Sequence, residues 1–126
     1  MEGFRFMRPH ERLEAWSHSV DFVVRVYKLT ETFHKEEKFG LTSQIRRAAV
    51  SIPSNIAEGA ARNSIKEFMQ FLSIAQGSAS ELETAIIVAR RLDYLDDDSF
   101  HELRLSLERI GRLITGLSQH LKQKNT

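Results

Sequence analysis

The amino-acid sequence predicts an all-α protein, an antiparallel up-down-up-down four-helix bundle. Three observations lead there. Apolar residues recur at spacings of three and four almost throughout, the period of a helix with one buried face. Only 6 glycines and 2 prolines interrupt 126 residues, so long helices are not broken. No segment alternates apolar and polar residues with the period of two that a half-buried strand requires. Three short connections between long helices make chain neighbours antiparallel. Helices of roughly 20–28 residues would be about 30–42 Å long.

The first helix follows a tail, residues 1–9, and carries Leu13, Trp16, Val20, Val23 and Tyr27 on one face. Phe22, Val26, Leu29 and Phe33 form a second stripe about a third of a turn away, so this helix has two apolar faces and needs two packing partners. The polar stretch His34–Gly40, HKEEKFG, closes it. The second helix buries Leu41, Ile45, Ala48, Ala49, Ile52 and Ile56 and stops around Gly59–Asn63. Ser64 and Glu67 then form a capping box, whose side chains satisfy free backbone donors at a helix start. The third helix carries Phe68, Leu72, Ala75, Leu82, Ile86 and Ala89 on one side. Asp96, Asp97 and Asp98 mark the fourth start, because carboxylates cap donors and suit the positive end of the helix dipole. Leu103, Leu107, Ile110, Ile114, Leu117 and Leu121 give the fourth helix an unbroken run of fours and threes, and residues 122–126 form a polar frayed end. Residues 1–126 are thus one domain, with no repeat, linker or low-complexity tract.

Composition narrows the function classes. A hydrophobic content of 41% with 28% charge belongs to a globular chain and not to a disordered one. The net charge of +1 makes no global electrostatic case for nucleic acid or membrane, so any basic partner site must be local. The absence of cysteine excludes disulfides, thiolate metal sites and cysteine nucleophiles. Charges run through the start MEGFRFMRPHERLE, where a signal peptide has its apolar core, and no apolar run approaches membrane-spanning length. The expected location is cytoplasmic, with no membrane partner.

Four-helix bundles can hold two metals between carboxylates and Glu-x-x-His pairs. Glu31-Thr-Phe-His34 has that spacing and Asp98-Ser-Phe-His101 is a variant of it, but both lie at helix ends, where inward-facing ligands do not converge. His10, His18 and His120 add no second motif. His34 is better read as meeting the carboxyl end of helix 1, and His101 as lying in the first exposed turn of helix 4. Ser43, Ser51, Ser64 and Ser78 read as caps or packing residues, and Gly40, Gly59, Gly77, Gly111 and Gly116 are isolated and form no phosphate loop. No metal, cofactor or catalytic residue is assigned, and a non-enzymatic protein is expected.

The densest polar pattern lies in Gly40–Arg62, where Gln44, Arg47, Ser51, Asn55, Glu58 and Arg62 share a stripe around an internal proline, Pro53. Two readings are open. In the structural one, Arg46 or Arg47 pairs with Glu81 or Glu83 of the antiparallel third helix, while Ser51 and Asn55 satisfy carbonyls freed by Pro53, with Glu58 in the same polar network. In the functional one, Arg46, Arg47 and Arg62, with Arg90 and Arg91, form a patch for nucleic-acid phosphate. Self-association is expected as well, through the second apolar face of helix 1 and the small-residue row Ser73, Gly77, Ser80, Thr84. The plainer alternative for that row is large and small residues meshing inside one bundle.

The wording GLTSQIRRAAVSIPSNIAEGAAR, followed by SIKEFMQFLSIAQGSASELET, resembles the 23S ribosomal RNA intervening-sequence protein family. Trp16, Tyr27, Phe33 and KEEKFGLTSQ fit the same pattern, and the resemblance covers roughly Leu13 to Leu121. His34 departs from it where a proline is expected, which affects the loop and not the fold. The resemblance implies a bacterial protein encoded within, or related to proteins encoded within, insertions in large-subunit ribosomal RNA genes. It further implies an antiparallel four-helix bundle assembled as a homopentamer, similar in fold to the nucleic-acid-binding accessory protein of diversity-generating retroelements. It implies no enzymatic activity. The expected function is therefore a homo-oligomeric binder of structured RNA, or of DNA, through the arginines. The rival is a protein-interaction scaffold in which the same arginines are held by Glu58, Glu81 or Glu83.

Overall fold

The computed structural model describes residues 8–124. Four helices account for nearly all of them: α1 (Glu14–Thr30), α2 (Leu41–Ala60), α3 (Ile65–Arg91) and α4 (Asp97–Lys124). Single 3-10 turns occupy Pro9–Arg12 and Lys35–Glu37, and no strand occurs among the described residues. Most of the expected 1–9 tail lies outside the described residues. At the other end α4 stays helical through Lys124, into the segment expected to fray, because Leu121 is buried and anchors the last turns.

Each helix packs on two neighbours in the cyclic order α1, α2, α3, α4. Contacts across each seam run in opposite chain directions. On α2 and α3, Ser51 meets Ser78 and Gly59 meets Phe68. On α3 and α4, Gln76 bonds Gly111 and Thr115, Glu83 reaches Arg104, and Arg90 reaches Asp97. On α1 and α4, Arg25 grips Glu102 while His18 shares a surface groove with Arg109. Three antiparallel pairs in a ring make the fourth, α1 with α2, antiparallel too. The up-down-up-down bundle follows.

The helix starts show how local sequence sets the boundaries. Ser64 Oγ accepts the Glu67 N–H at 3.2 Å, the serine half of the expected capping box. Asp96 Oδ1 accepts the Ser99 N–H at 2.8 Å at the head of α4. That backbone bond, helped by the Ser99 side chain, holds the Asp96 carboxyl below its ordinary pKa. α2 has no capping side chain of its own at Gly40, and Glu37 does the work from the preceding loop: its Oε1 accepts the Leu41 N–H at 3.2 Å. A Cβ on Gly40 would lie 3.1 Å from that oxygen, so glycine leaves room for the carboxylate.

The core contains the predicted stripes of α2, α3 and α4 almost residue for residue, with Leu41, Phe68 and Leu117 at its margin. α1 divides as expected into two faces, but they are not equivalent. Phe22, Val26 and Phe33 are buried, with Ser19 and Thr30 as polar members of the same face. Leu13, Trp16, Val20 and Val23 are half-buried, and Tyr27 and Val24 are exposed. α1 ends at Thr30, and the Phe33 N–H turns back onto the Thr30 carbonyl so that the Phe33 ring is buried against Tyr94. The row Ser73, Gly77, Ser80, Thr84 faces outward and is not meshed inside the bundle.

Pro53 is buried within α2, and the helix continues through it. The carbonyl it deprives of an N–H is that of Ala49, four residues back. Asn55 Nδ2 does not serve that carbonyl. It donates to the Ser51 carbonyl at 2.8 Å and to Ser51 Oγ at 2.9 Å, since Asn55 and Ser51 are one turn apart on the flank facing α3.

Two glycines give opposite expectations. A Cβ on buried Gly59 would lie 2.8 Å from Phe68 Cδ1 and 2.8 Å from Phe71 Cβ, so Gly59→Ala should destabilise by about 1–3 kcal/mol in urea unfolding. A Cβ on Gly77 meets nothing within 4 Å, so Gly77→Ala should stabilise the protomer by up to about 1 kcal/mol through helix propensity. Equal effects at the two positions would refute the close α2–α3 approach.

Candidate functional site

Arg46 lies in the second turn of α2, about 140° around the helix from Ser51 at 100° per residue. Ser51 faces α3, so Arg46 faces α1. Its Nε donates to Thr30 Oγ1 at 2.8 Å and its Nη2 to the Tyr27 carbonyl at 3.2 Å. That carbonyl is one of the last four of α1, which lack N–H partners within the helix. The guanidinium therefore caps the negative end of the α1 dipole from a neighbouring helix, and it lies over the Tyr27 ring with Cζ 4.5 Å from the centroid. Thr30 is buried and donates its own hydroxyl hydrogen to the Val26 carbonyl at 2.8 Å.

The expected pairing of Arg46 or Arg47 with Glu81 or Glu83 does not form. Glu83 instead faces α4, 3.6 Å from Arg104, and Glu81 is exposed without an ion pair among the described residues. The helical angle decides this for Arg46, which leaves α2 about 140° from Ser51, whereas Arg47 lies only about 40° from Ser51 and is exposed, lining the groove described below. Ser51 and Asn55 do form a small network, closed across the seam by Ser51 Oγ and Ser78 Oγ at 2.7 Å. Among the described residues Glu58 pairs only with Arg62, one turn along at 2.8 Å, and the Arg62 guanidinium lies 4.9 Å from the Phe71 ring.

The five candidate arginines do not make one patch. Arg46, Arg47, Arg90 and Arg91 belong to the end of the bundle where α1 closes and α4 begins, while Arg62 is at the opposite end, roughly 20 Å of helix rise away. Arg90 is held by Asp97 at 2.7 Å and Asp93 at 3.3 Å. Arg47 and Arg91 are not fully buried and carry no ion pair among the described residues.

Arg46 and Arg47 do converge with residues that sequence reasoning did not single out. A surface groove of about 350 Å³ is lined by Tyr27, Lys38, Phe39, Thr42, Ser43, Arg46 and Arg47. Three cations and three hydroxyl-bearing residues line it, and no carboxylate does. Three other concavities each include carboxylates: Glu83 and Glu108, Asp21, or Glu31. The loop bearing Lys38 and Phe39 is held in place by Glu37, whose Oε2 accepts the Tyr94 hydroxyl at 3.0 Å while Oε1 caps α2. That hydrogen bond, with burial and the Glu37 charge, raises the Tyr94 phenol above its ordinary pKa. One sequence signal did point to Phe39: a large aromatic inside an otherwise polar loop, next to the glycine that precedes a helix.

The candidate metal motifs are occupied otherwise. His34 packs its ring 5.2 Å from that of Tyr94, and His101 lines the concavity with Glu83, Arg104 and Glu108. Among the described residues no group of three His, Asp or Glu side chains is placed to hold a metal ion. No helix of the described residues is long and apolar enough to cross a membrane.

Comparison with known proteins places this geometry in a lineage. The family model for the 23S rRNA-intervening sequence protein matches residues 11–116. The chain belongs to that family. A solved structure similar to it, at a TM-score of 0.77 and 25% identity, covers 82% of this chain and 97% of its own. It is a Bacteroides thetaiotaomicron protein of the S23 ribosomal protein family, described as having unknown function. No curated protein matches the chain. Family membership thus accounts for the bundle, and the chemistry of the groove has to be read from its own residues.

The Arg46 cap yields a direct test. Thr30→Val keeps the side-chain shape and removes the acceptor, leaving the Arg46 Nε without its partner. Urea unfolding should show a loss of about 1–3 kcal/mol, the cost of a missing hydrogen bond to a charged group. An unchanged midpoint would mean that Arg46 does not depend on Thr30.

Proposed function

We propose that this protein is a non-enzymatic, homo-oligomeric bundle of the bacterial cytoplasm that binds structured RNA through the phosphate groups. The observation that carries the reading is the groove of Lys38, Arg46 and Arg47 with no carboxylate in its lining. A near-neutral chain repels polyanions little and attracts them little, so attraction has to come from a local cluster of this kind. Arg46 has its charge oriented by Thr30 and Tyr27, and Arg47 and Lys38 stand clear of ion pairs among the described residues to meet phosphate. The family takes its name from an insertion in 23S ribosomal RNA, and the Bacteroides relative from a ribosomal protein family, which makes RNA the favoured polyanion.

Self-association belongs to the same proposal. The second stripe of α1, expected to take another copy, is spent on the protomer's own core through Phe22, Val26 and Phe33, so the faces left to a second copy are the one with Val24 and Tyr27 exposed and the outward small-residue row of α3. Assembly would repeat a modest groove and multiply its attraction by avidity. Arg62 and Arg90, committed to Glu58 and Asp97, contribute less to phosphate binding in this reading. Their pairing is the observation that favours the second reading, a protein-interaction scaffold whose arginines serve the bundle alone.

The double variant Lys38→Ala/Arg47→Ala decides between the two. On an RNA-binding groove it should weaken affinity for ribosomal RNA fragments at every sequence. It should also flatten the salt dependence by about 1.4–1.8 in log–log slope per protomer engaged, at about 0.7–0.9 for each phosphate no longer neutralised. Unchanged affinity and slope, with an intact fold, would support the scaffold. Light scattering on the wild-type protein should give a mass above that of the protomer, and a monomer at micromolar concentration would remove the assembly part of the proposal.

A further inference from the structure

Phe39 is 90% exposed. Every other described phenylalanine, at 22, 33, 68, 71 and 100, is buried or half-buried. Its position explains how it comes to be stranded. Phe39 immediately precedes Gly40, which starts α2, and a hydrophobic residue there ordinarily packs on the fourth residue of the helix as a staple. In this chain that residue is Gln44, which is polar and exposed, so the ring has no partner within its own helix.

The ring is also not simply adrift in solvent. It lines the groove that holds Lys38, Arg46 and Arg47, with the Lys38 Nζ 5.5 Å from its centroid. The other aromatic of the groove, Tyr27, is already covered by the Arg46 guanidinium. The groove therefore offers one largely solvent-exposed aromatic ring, with Lys38 more loosely over it than Arg46 is over Tyr27, beside further cations and hydroxyls. That is the pairing of surfaces that a nucleotide presents in reverse, a flat base joined to a phosphate. Bases inside a duplex are stacked on one another and cannot offer a face, whereas an unpaired base can.

We infer that Phe39 is a stacking platform for an unpaired nucleotide of RNA, whose flanking phosphates are held by Lys38 and Arg47. This rests on the proposal that the groove binds RNA, and it narrows the ligand to single-stranded segments such as loops and bulges. The groove's volume of about 350 Å³ is at the lower end of small-ligand sites, enough for one nucleotide at a time.

Phe39→Leu and Phe39→Trp test it, since leucine keeps an apolar side chain and tryptophan keeps a stacking face. The probes are a single-stranded oligouridylate and a blunt-ended RNA duplex, at one salt concentration. Phe39→Leu should weaken binding about ten-fold or more on the single strand and less than about two-fold on the duplex. Phe39→Trp should retain binding, with its added fluorescence quenched by the single strand and not by the duplex. Leucine and tryptophan variants that both bind the single strand like wild type would overturn the stacking role. So would an equal weakening on both probes accompanied by a lower mass in light scattering, which would make Phe39 a subunit contact. If Lys38→Ala/Arg47→Ala also leaves both probes unaffected, the groove reading fails as a whole. If that variant binds more weakly while Phe39→Leu does not, only the stacking inference fails.

Discussion

The close approach of α2 and α3 is the contact on which the rest of the bundle depends. Their interface is the most extensive in the protein, and small residues make it possible. Gly59 leaves the space that Phe68 and Phe71 fill, buried Ala48 lies about 60° around α2 from Ser51, and Ser51 meets Ser78 through a short hydroxyl bond. Interiors packed this tightly transmit rotation, because a helix that turns about its axis drives large groups into small ones. Once the Ser51 flank of α2 is committed to α3, the opposite flank can only face α1. Arg46 is on that flank.

From there the arrangement of the end of the bundle that carries the groove follows in physical order. Arg46 meets the last carbonyls of α1, where a cation is favoured by both the free acceptors and the dipole. Its guanidinium then covers Tyr27 and forms one wall of a groove completed by Arg47 and by the loop before α2. Glu37 holds that loop by two bonds at once, to the Leu41 amide and to the Tyr94 hydroxyl. The acidic residue nearest in sequence to Lys38 is thereby turned toward the protein, and the groove's own lining is left with positive charge only, with Glu31 in the adjoining concavity that shares Lys38, Thr42 and Arg46. A chain with a net charge of +1 can carry a cationic site because several of its carboxylates are engaged elsewhere, on caps and on Arg25, Arg62, Arg90, Arg104 and Arg112.

The two readings of the arginines turn out not to be exclusive, since single arginines differ. Arg62 is in an ion pair with Glu58, a partner the scaffold reading named, and Arg90 is in one with Asp97 and Asp93, partners it did not name. Arg47 and Arg91 reach the surface without one among the described residues, as phosphate binding requires. Arg46 is structural by its bonds and lines the groove by its position. Such exposed pairs add little stability, so their more consequential effect is on where free positive charge remains.

The four helices, their order, their core faces and the Ser64 and Asp96 starts were all legible in the amino-acid sequence. Each of these depends on residues within one or two turns of each other, through helical periodicity and local capping. The family was legible there too, because the wording of Gly40–Arg62 stands in the chain whatever its chemistry does. The direction in which each arginine points was not. A rotation of about 140° around α2 separates a partner on α3 from one on α1, and no local spacing encodes that choice. Tertiary packing also joined Lys38 and Phe39, read in the sequence as a loop that merely closes a helix, to Arg46 and Arg47. That convergence requires Glu37 to reach both the start of α2 and Tyr94, far along the chain, an interaction that exists only when the bundle has closed.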